Sequence, residues 1–289
     1  MDELFVCLAN SYKHGGRCIA GIEVAETSEG YRVITDHGRP KWIRPVCRHT
    51  DAGAIPNEIA ARLDLLAIVR MTNVEACPQG AQSENAYFDE LIPVGASFDA
   101  RNIEEHLSDN SRQELFYNYG KAVVPDVYNR LGDHSILLIE ATDAEIYGDT
   151  TYTEYPRYRV RFLYCGHQYD LPITDPWYIQ DLKCGKRSIG KHGTLYITCS
   201  LGVEHEGWHN KLAACIIEPT SPADAQPKAY SVDEVRKIYP QAYAKWTPED
   251  DDELGRLYDQ GWTVSQLMDH FQRNEGSIQA RLKKIGKIV

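Results

Sequence analysis

Leu4-Phe5-Val6-Cys7-Leu8, then Ala9-Asn10-Ser11-Tyr12-Lys13-His14-Gly15-Gly16-Arg17, then Cys18-Ile19-Ala20-Gly21-Ile22 is two apolar runs parted by a polar, glycine-marked break. Apolar runs of this length bounded by Asn, Ser and Gly read as strand, turn and strand. The same pattern continues outward. Tyr31 to Ile34 reads as a further strand, and Lys41-Trp42-Ile43-Arg44-Pro45-Val46 as an extended one. Pro45 forces Arg44 out of helix and favours a sheet edge. Leu63 to Val74 contains a strand, and Gln82-Ser83-Glu84-Asn85 is a loop ahead of Tyr87 and Phe88. Many short strands separated by Gly/Pro turns indicate a small barrel or sandwich over residues 1–98.

Residues 99–133 change character. Ile103, Leu107, Leu115, Phe116, Tyr119 and Val123 suit helices bridging two β units. Strands return at Ser135 to Ala141, Arg157 to Tyr164, Gln168 to Ile173, Gly193 to Cys199 and Lys211 to Ile217, giving a second small barrel over 134–218. A compositionally loose stretch marks a linker at 219–230, and Ser231 to Tyr239 reads as a helix leading into a last domain, 231–289.

The β portion resembles the dual OB-containing domain of bacterial proteins. The likeness is carried by Cys7-Leu8-Ala9-Asn10-Ser11, Gly15-Gly16-Arg17-Cys18-Ile19-Ala20-Gly21 and Trp42-Ile43-Arg44-Pro45-Val46. Gln82 to Asn85, Thr174-Asp175-Pro176 and Lys211-Leu212 add to it. The resemblance implies two tandem OB-like barrels and a setting in bacterial genome defence or DNA processing.

The last domain opens Trp246-Thr247-Pro248-Glu249-Asp250, with Thr247 as N-cap, Pro248 at the first helical position and Asp250 closing a capping box. Leu254, Leu257 and Tyr258 give this helix its apolar face. Gln260-Gly261-Trp262 ends it, Thr263 caps a second helix carrying Leu267, Met268 and Phe271, and Asn274 caps a third carrying Ile278, Leu282 and Ile285. Three short helices with tight turns describe a helix-turn-helix domain. The segment resembles Myb/SANT-like helix-turn-helix tails, which share the Trp-Thr-Pro-Glu-acidic start and the Arg-Leu-Lys-Lys-Ile-Gly end. A third helix bearing Arg273, Ser277, Gln279, Arg281, Lys283 and Lys284 suits a major groove and its phosphates.

The formal net charge of −11 argues against a surface coated in Lys and Arg, so any nucleic-acid surface must be a local patch. No signal peptide or membrane-spanning run is legible, and no membrane partner is expected; a cytoplasmic location and reduced thiols for the eight cysteines are expected. One local patch is on the strand Arg157-Tyr158-Arg159-Val160-Arg161-Phe162, where period-two alternation puts Arg157, Arg159 and Arg161 on one face. With Tyr152, Tyr155, Tyr164, Tyr169 and Trp177 nearby in sequence, it suits the stacking-plus-cation surface by which OB folds hold single strands; the bland alternative is a solvated face neutralised by Asp and Glu. A second patch is an anion-binding loop of Asn10, Ser11, Lys13, Gly15, Gly16 and Arg17 with Arg44, whose bland alternative is an ordinary turn.

His205-Glu206-Gly207-Trp208-His209 matches the zinc-protease pattern His-Glu-x-x-His, which works only when a helix stacks both imidazoles one turn apart. Strands flank it here, so it reads as a hairpin loop. Cys165, His167, Cys184, Cys199, His205 and His209 match no usual zinc spacing. No catalytic residue, metal or cofactor is assigned. The sequence therefore reads as mainly β with α: two tandem OB-like barrels, a helical bridge and a C-terminal trihelical helix-turn-helix domain. Its expected role is a non-enzymatic nucleic-acid-binding accessory protein, the third helix contacting duplex DNA and the barrels holding DNA, RNA or a partner. The alternative is an adaptor docking on a helicase, nuclease or other defence-system protein; a remote one is a zinc metalloprotease through His205 and His209.

Overall fold

The computed structural model describes residues 2–13, 15–99, 103, 109, 112–131, 133–151, 156–219, 240–241 and 244–288. Residues 220–230 of the linker expected at 219–230, the helix expected at Ser231 to Tyr239, and Leu107, Tyr152 and Tyr155 lie outside them. Two compact units divide the chain, Met1–Pro227 and Lys228–Val289.

The first unit is two β regions. The earlier one runs through β1 (Glu3–Lys13), β2 (Gly16–Thr27), β3 (Gly30–Val33), β4 (Thr35–Asp36), β5 (Arg39–Pro40), β6 (Trp42–Val46), a short helix α1 (Asn57–Ala60), β7 (Ala67–Met71), β8 (Glu75–Ala76), β9 (Asn85–Tyr87) and β10 (Leu91–Ser97). The later one follows as β11 (Ala122–Val123), α2 (Pro125–Leu131), β12 (Ile136–Asp149), β13 (Arg157–Tyr164), β14 (His167–Pro172), α3 (Pro176–Lys183), β15 (Gly190–His205) and β16 (Trp208–Ile217). Strand order in the first sheet is β10-β7-β1-β2-β6-β9-β8, and in the second β11-β16-β15-β12-β13-β14. Both sheets share a core order, fifth-fourth-first-second-third, with a helix between the third and fourth of those strands. The second curls until Thr174 N–H donates to Ala213 O at 2.9 Å, beside a parallel bridge from Ile173 to Ala213. Two such sheets are consistent with tandem OB units.

The early strands are unbroken apolar runs because residues Leu4 to Leu8 alternate between two cores rather than between core and water. Phe5, Cys7, Ile19, Val69 and Met71 line the inside of the first sheet. Their neighbours Val6, Leu8, Ala20, Ile22 and Ile68 pack instead with Ile136, Leu138, Tyr196, Cys215 and Ile217 of the second sheet. A strand buried on both faces loses the period-two signal. The inner face of the second sheet, Leu137, Ile139, Val160, Phe162, Leu195 and Ile197, closes its own core. All eight cysteines are free thiols; burial pushes the Cys7 thiol up to about 12.

Pro45 does not mark an edge. β6 pairs with β2 at Trp42 and Ile43, then in parallel with β9 from Arg44 to Val46. Arg44 N–H donates to Glu84 O on the β9 side, so Pro45 sits where the β2 ladder has already ended and its missing N–H goes unused.

The bridge also departs from expectation. Leu115, Phe116 and Tyr119 are not helical, and Val123 lies in a strand, whereas Ile103 is helical and Pro125–Leu131 forms a helix. Phe116 and Tyr117 adopt left-handed backbone, φ 53° and 64°, which no right-handed helix accommodates. Barrel side chains capture the backbone groups a helix would have used. Leu115 N–H donates to the Tyr169 hydroxyl at 3.1 Å, and Lys211 Nζ donates to Asn118 O at 2.6 Å and to Asn118 Oδ1 at 2.9 Å.

A buried polar node joins the two sheets. Arg44, 2% exposed, pairs with Glu84 at 2.9 Å and donates from Nη2 to Ser135 Oγ at 2.8 Å, while Ser135 Oγ donates to Glu84. Arg44→Ala would leave Glu84 buried without its counter-charge, and urea melts should show a loss of about 3–5 kcal/mol. The paired replacement Arg44→Met with Glu84→Leu should cost much less, because neither charge is then stranded.

Candidate nucleic-acid interface

Each sequence-derived patch has a definite place. On β13, Val160, Phe162 and Tyr164 face the core, so alternation turns Arg157, Arg159 and Arg161 outward together. The guanidinium groups are not bare. Arg159 Nε donates to Asp170 Oδ1 at 2.8 Å and its Nη2 to Asp170 O at 2.9 Å. Arg161 Nη1 donates to Glu145 Oε2 at 3.4 Å, and its Nη2 stands 3.8 Å from Asp170 Oδ2. Arg157 is exposed, opposite Asp149 in register. Asp170, from β14, and Tyr147 and Glu145, from β12, belong to this face although no spacing in the sequence ties them to β13. Antiparallel register does: Arg161 pairs with Asp170 on one side and Glu145 on the other.

The glycine-marked loop proves to be a tight hairpin. Tyr12 pairs with Arg17 and Lys13 with Gly16, so alternation puts Lys13 and Arg17 on opposite faces. Gly15 takes φ 77°, the backbone such a turn requires of a residue without Cβ. Asn10 and Ser11 are buried, and Asn10 Nδ2 donates to Ala60 O at 2.9 Å and Leu63 O at 3.1 Å. Arg17 is buried too, its guanidinium carbon 4.6 Å from the Tyr12 ring centre and 5.8 Å from that of Trp177. Arg44 belongs to the inter-sheet node. The structure therefore does not gather these residues around one anion.

His205 and His209 stand in the β15–β16 hairpin, whose turn residues Glu206 and Gly207 have φ 50° and 82°. Register pairs His205 with Trp208 and Glu204 with His209, which places the two imidazoles on opposite faces. His209 is buried, stacked on Tyr128 at 3.8 Å, and its Nδ1 donates to Gly202 O at 3.0 Å. The helical geometry of a zinc protease is thus excluded. Among the described residues no group of three or more His, Cys, Asp or Glu is placed to hold a metal.

The second unit holds three helices, α4 (Pro248–Asp259), α5 (Val264–Phe271) and α6 (Glu275–Lys284). Thr247 with Asp250, and Thr263 with Gln266, form capping boxes, and Asn274 accepts from Ser277 N–H at 2.8 Å; each cap contributes about 1 kcal/mol. Leu254, Leu257, Leu267, Phe271, Ile278 and Leu282 form the core. Two of the expected DNA-contacting cations are taken up by contacts within the unit. Arg273 is buried, donates to Ala244 O at 2.8 Å and lies over the Trp246 ring at 4.3 Å. Arg281 gives both Nε and Nη2 to the Asp251 carboxylate. Ser277 is half-buried, whereas Gln279, Lys283 and Lys284 are exposed.

A family profile, the dual OB-containing domain, matches residues 4–216. The chain belongs to that family. No curated protein matches it. Among solved structures, this dual OB chain is similar to a murine DNA-binding protein bound to double-stranded DNA, at TM-score 0.29 and 7% identity over 75% of this chain and 95% of that one. It is also similar to a protein solved for the molecular basis for abrogation of activation of pro-inflammatory cytokines, at TM-score 0.27 and 9% identity over 75% and 92%. Likeness that loose assigns no ligand.

Asp175 caps α3, accepting from Trp177 and Tyr178 N–H at 3.0 Å each, and burial raises its pKa to about 6. Because the folded-state value lies above the unfolded one, its contribution is full in acid and is lost as pH rises from about 4 through 6. Asp175→Asn keeps the cap acceptor without the charge, so relative to wild type it should gain stability across that window, by about 3 kcal/mol in chemical melts. In the second unit the Arg281 guanidinium holds the Asp251 carboxyl below its usual range. Arg281→Ala should therefore lower the melting temperature of the three-helix unit at neutral pH, the difference shrinking as acid protonates Asp251, while Lys283→Ala leaves it unchanged.

Proposed function

We propose that this protein is a non-enzymatic nucleic-acid-binding accessory protein whose first contact surface is the outer face of β13 and β14. The observation that carries this reading is which sheet faces are left open. The outward apolar residues of β1, β2 and β7 and those of β15, β16 and the first half of β12, Ile136 and Leu138, are consumed against one another. On β13 and β14 the outward side chains Arg157, Arg159, Arg161, Gln168 and Asp170 reach solvent instead. In an OB barrel the face of the second and third strands is the one that takes oligonucleotides. Here that face is free in the second barrel and apolar and covered in the first, so the first barrel acts as a scaffold and the second as the reader.

The three-helix unit adds contacts to duplex DNA through Ser277, Gln279, Lys283 and Lys284, with Arg273 and Arg281 supporting the fold of the unit. Net charge of −11 keeps such contacts local and makes them sensitive to salt. A second reading is an adaptor that docks on a basic partner such as a helicase or nuclease; the acidic run Glu249 to Glu253 on α4 favours it.

Fluorescence anisotropy with labelled single-stranded DNA, duplex DNA and RNA at two salt concentrations separates the readings. Joint replacement of Arg157, Arg159 and Arg161 by Ala should weaken single-strand binding and flatten its salt dependence, by roughly one unit of log–log slope for each phosphate no longer neutralised. Lys283→Ala with Lys284→Ala, or truncation after Pro227, should weaken duplex binding selectively. Binding to no probe at either salt would leave the adaptor reading in possession.

A further inference from the structure

Tyr147 lies within the arginine face. It pairs in register with Arg159, its hydroxyl donates to Asp170 Oδ2 at 2.6 Å, and the Arg161 guanidinium carbon stands 5.0 Å from its ring centre. Asp170 is the hub of this cluster: one carboxylate meets the Tyr147 hydroxyl, Arg159 Nε and, more distantly, Arg161 Nη2. The ring is half-buried, with its hydroxyl end tethered and the Arg161 guanidinium over one face, which leaves the opposite face for a base. The side chains of Arg159, Arg161 and Asp170 remain 18%, 41% and 22% exposed.

Resting on the nucleic-acid reading above, we propose that this cluster is a subsite for single-stranded nucleic acid, in which Tyr147 stacks an unpaired base and a backbone phosphate displaces Asp170 from the two arginines. A carboxylate and a phosphate satisfy guanidinium N–H groups with the same forked geometry, so one can take the place of the other. The Arg161–Asp170 pair, 3.8 Å apart with Arg161 41% exposed, is the looser of the two, and an ion pair of that kind holds weakly. The ring supplies the discrimination. An unpaired base offers its π face to Tyr147, while a duplex keeps its base faces inside the stack and presents only phosphates. Asp170 then has two effects: it holds Arg159, Arg161 and Tyr147 in place in the free protein, and it competes with weakly bound anions.

The test uses the full chain and anisotropy of a labelled oligo-dT and of a labelled hairpin duplex, with thermal melts of every variant. Tyr147→Ala should weaken the oligo-dT complex about tenfold and leave the duplex unchanged, while Tyr147→Phe, which keeps the ring, should retain the single-strand preference. Asp170→Asn should tighten oligo-dT binding several-fold and steepen its salt dependence. Equal losses for both probes with Tyr147→Ala, no loss at all, or weaker binding with Asp170→Asn would overturn the subsite. If Arg157→Ala and Arg161→Ala still weaken binding in that case, the wider face survives; if they too are silent, the face itself is wrong. Should Tyr147→Ala melt early, Tyr147→Phe and Asp170→Asn decide the matter between them.

Discussion

Everything in the β unit depends on one constraint: β1 and its neighbours are apolar on both faces and must bury both. Phe5 and Cys7 turn into the first sheet, and Val6 and Leu8 turn out of it. An isolated first barrel would leave that outward set in water, at roughly 25 cal/mol for every Å² of apolar surface exposed. The second sheet covers it with Ile136, Leu138, Tyr196 and Ile217, and the Thr198 hydroxyl reaches across to Leu8 O at 2.7 Å. The two barrels are thus halves of one packed body rather than beads on a linker.

Polar contacts add position to that burial. Apolar surface is indifferent to small slips, whereas the Arg44–Glu84–Ser135 node tolerates only one alignment of the sheets, since any shift strands a buried charge. Ser83 reinforces it by donating to Asp133 O at 2.8 Å, and the Tyr117 hydroxyl accepts from Asp133 and His134 N–H at 3.0 Å each. The long stretch ahead of β12 is thereby fastened from both sides. The proposed contact surface lies in what this fastening leaves over. With Ile136, Leu138, Tyr196 and Ile217 consumed against the first sheet, the outward residues of β13, β14 and the second half of β12 form a sheet face where three arginines and Tyr147 stand together.

The sequence showed much of this surface and little of its chemistry. Alternation in Arg157-Tyr158-Arg159-Val160-Arg161-Phe162 places three guanidinium groups together, because period two is a property of the strand alone. Asp170, Glu145 and Tyr147 become their partners only through register, which no local pattern encodes. The same holds for Arg281, legible as an exposed cation on α6, whose partner Asp251 lies 30 positions away on α4. Lys13 and Arg17, neighbours along the chain, fall on opposite sides of a hairpin.

By itself the sequence determined most of the long strands, though not β10, and the capped C-terminal helices, the hairpin around Glu206 and Gly207 and the family to which the chain belongs, since each rests on short-range periodicity, turn chemistry or motif. Tertiary structure alone decided the rest. It gave two sheets of one strand order without a sequence repeat, unwound the expected helix at Leu115 to Tyr119 by capturing its backbone groups, and drew Arg44, Arg273 and Arg281 inward. Those outcomes turn on contacts between residues far apart in the chain, where burial and charge pairing outweigh anything local propensity can express.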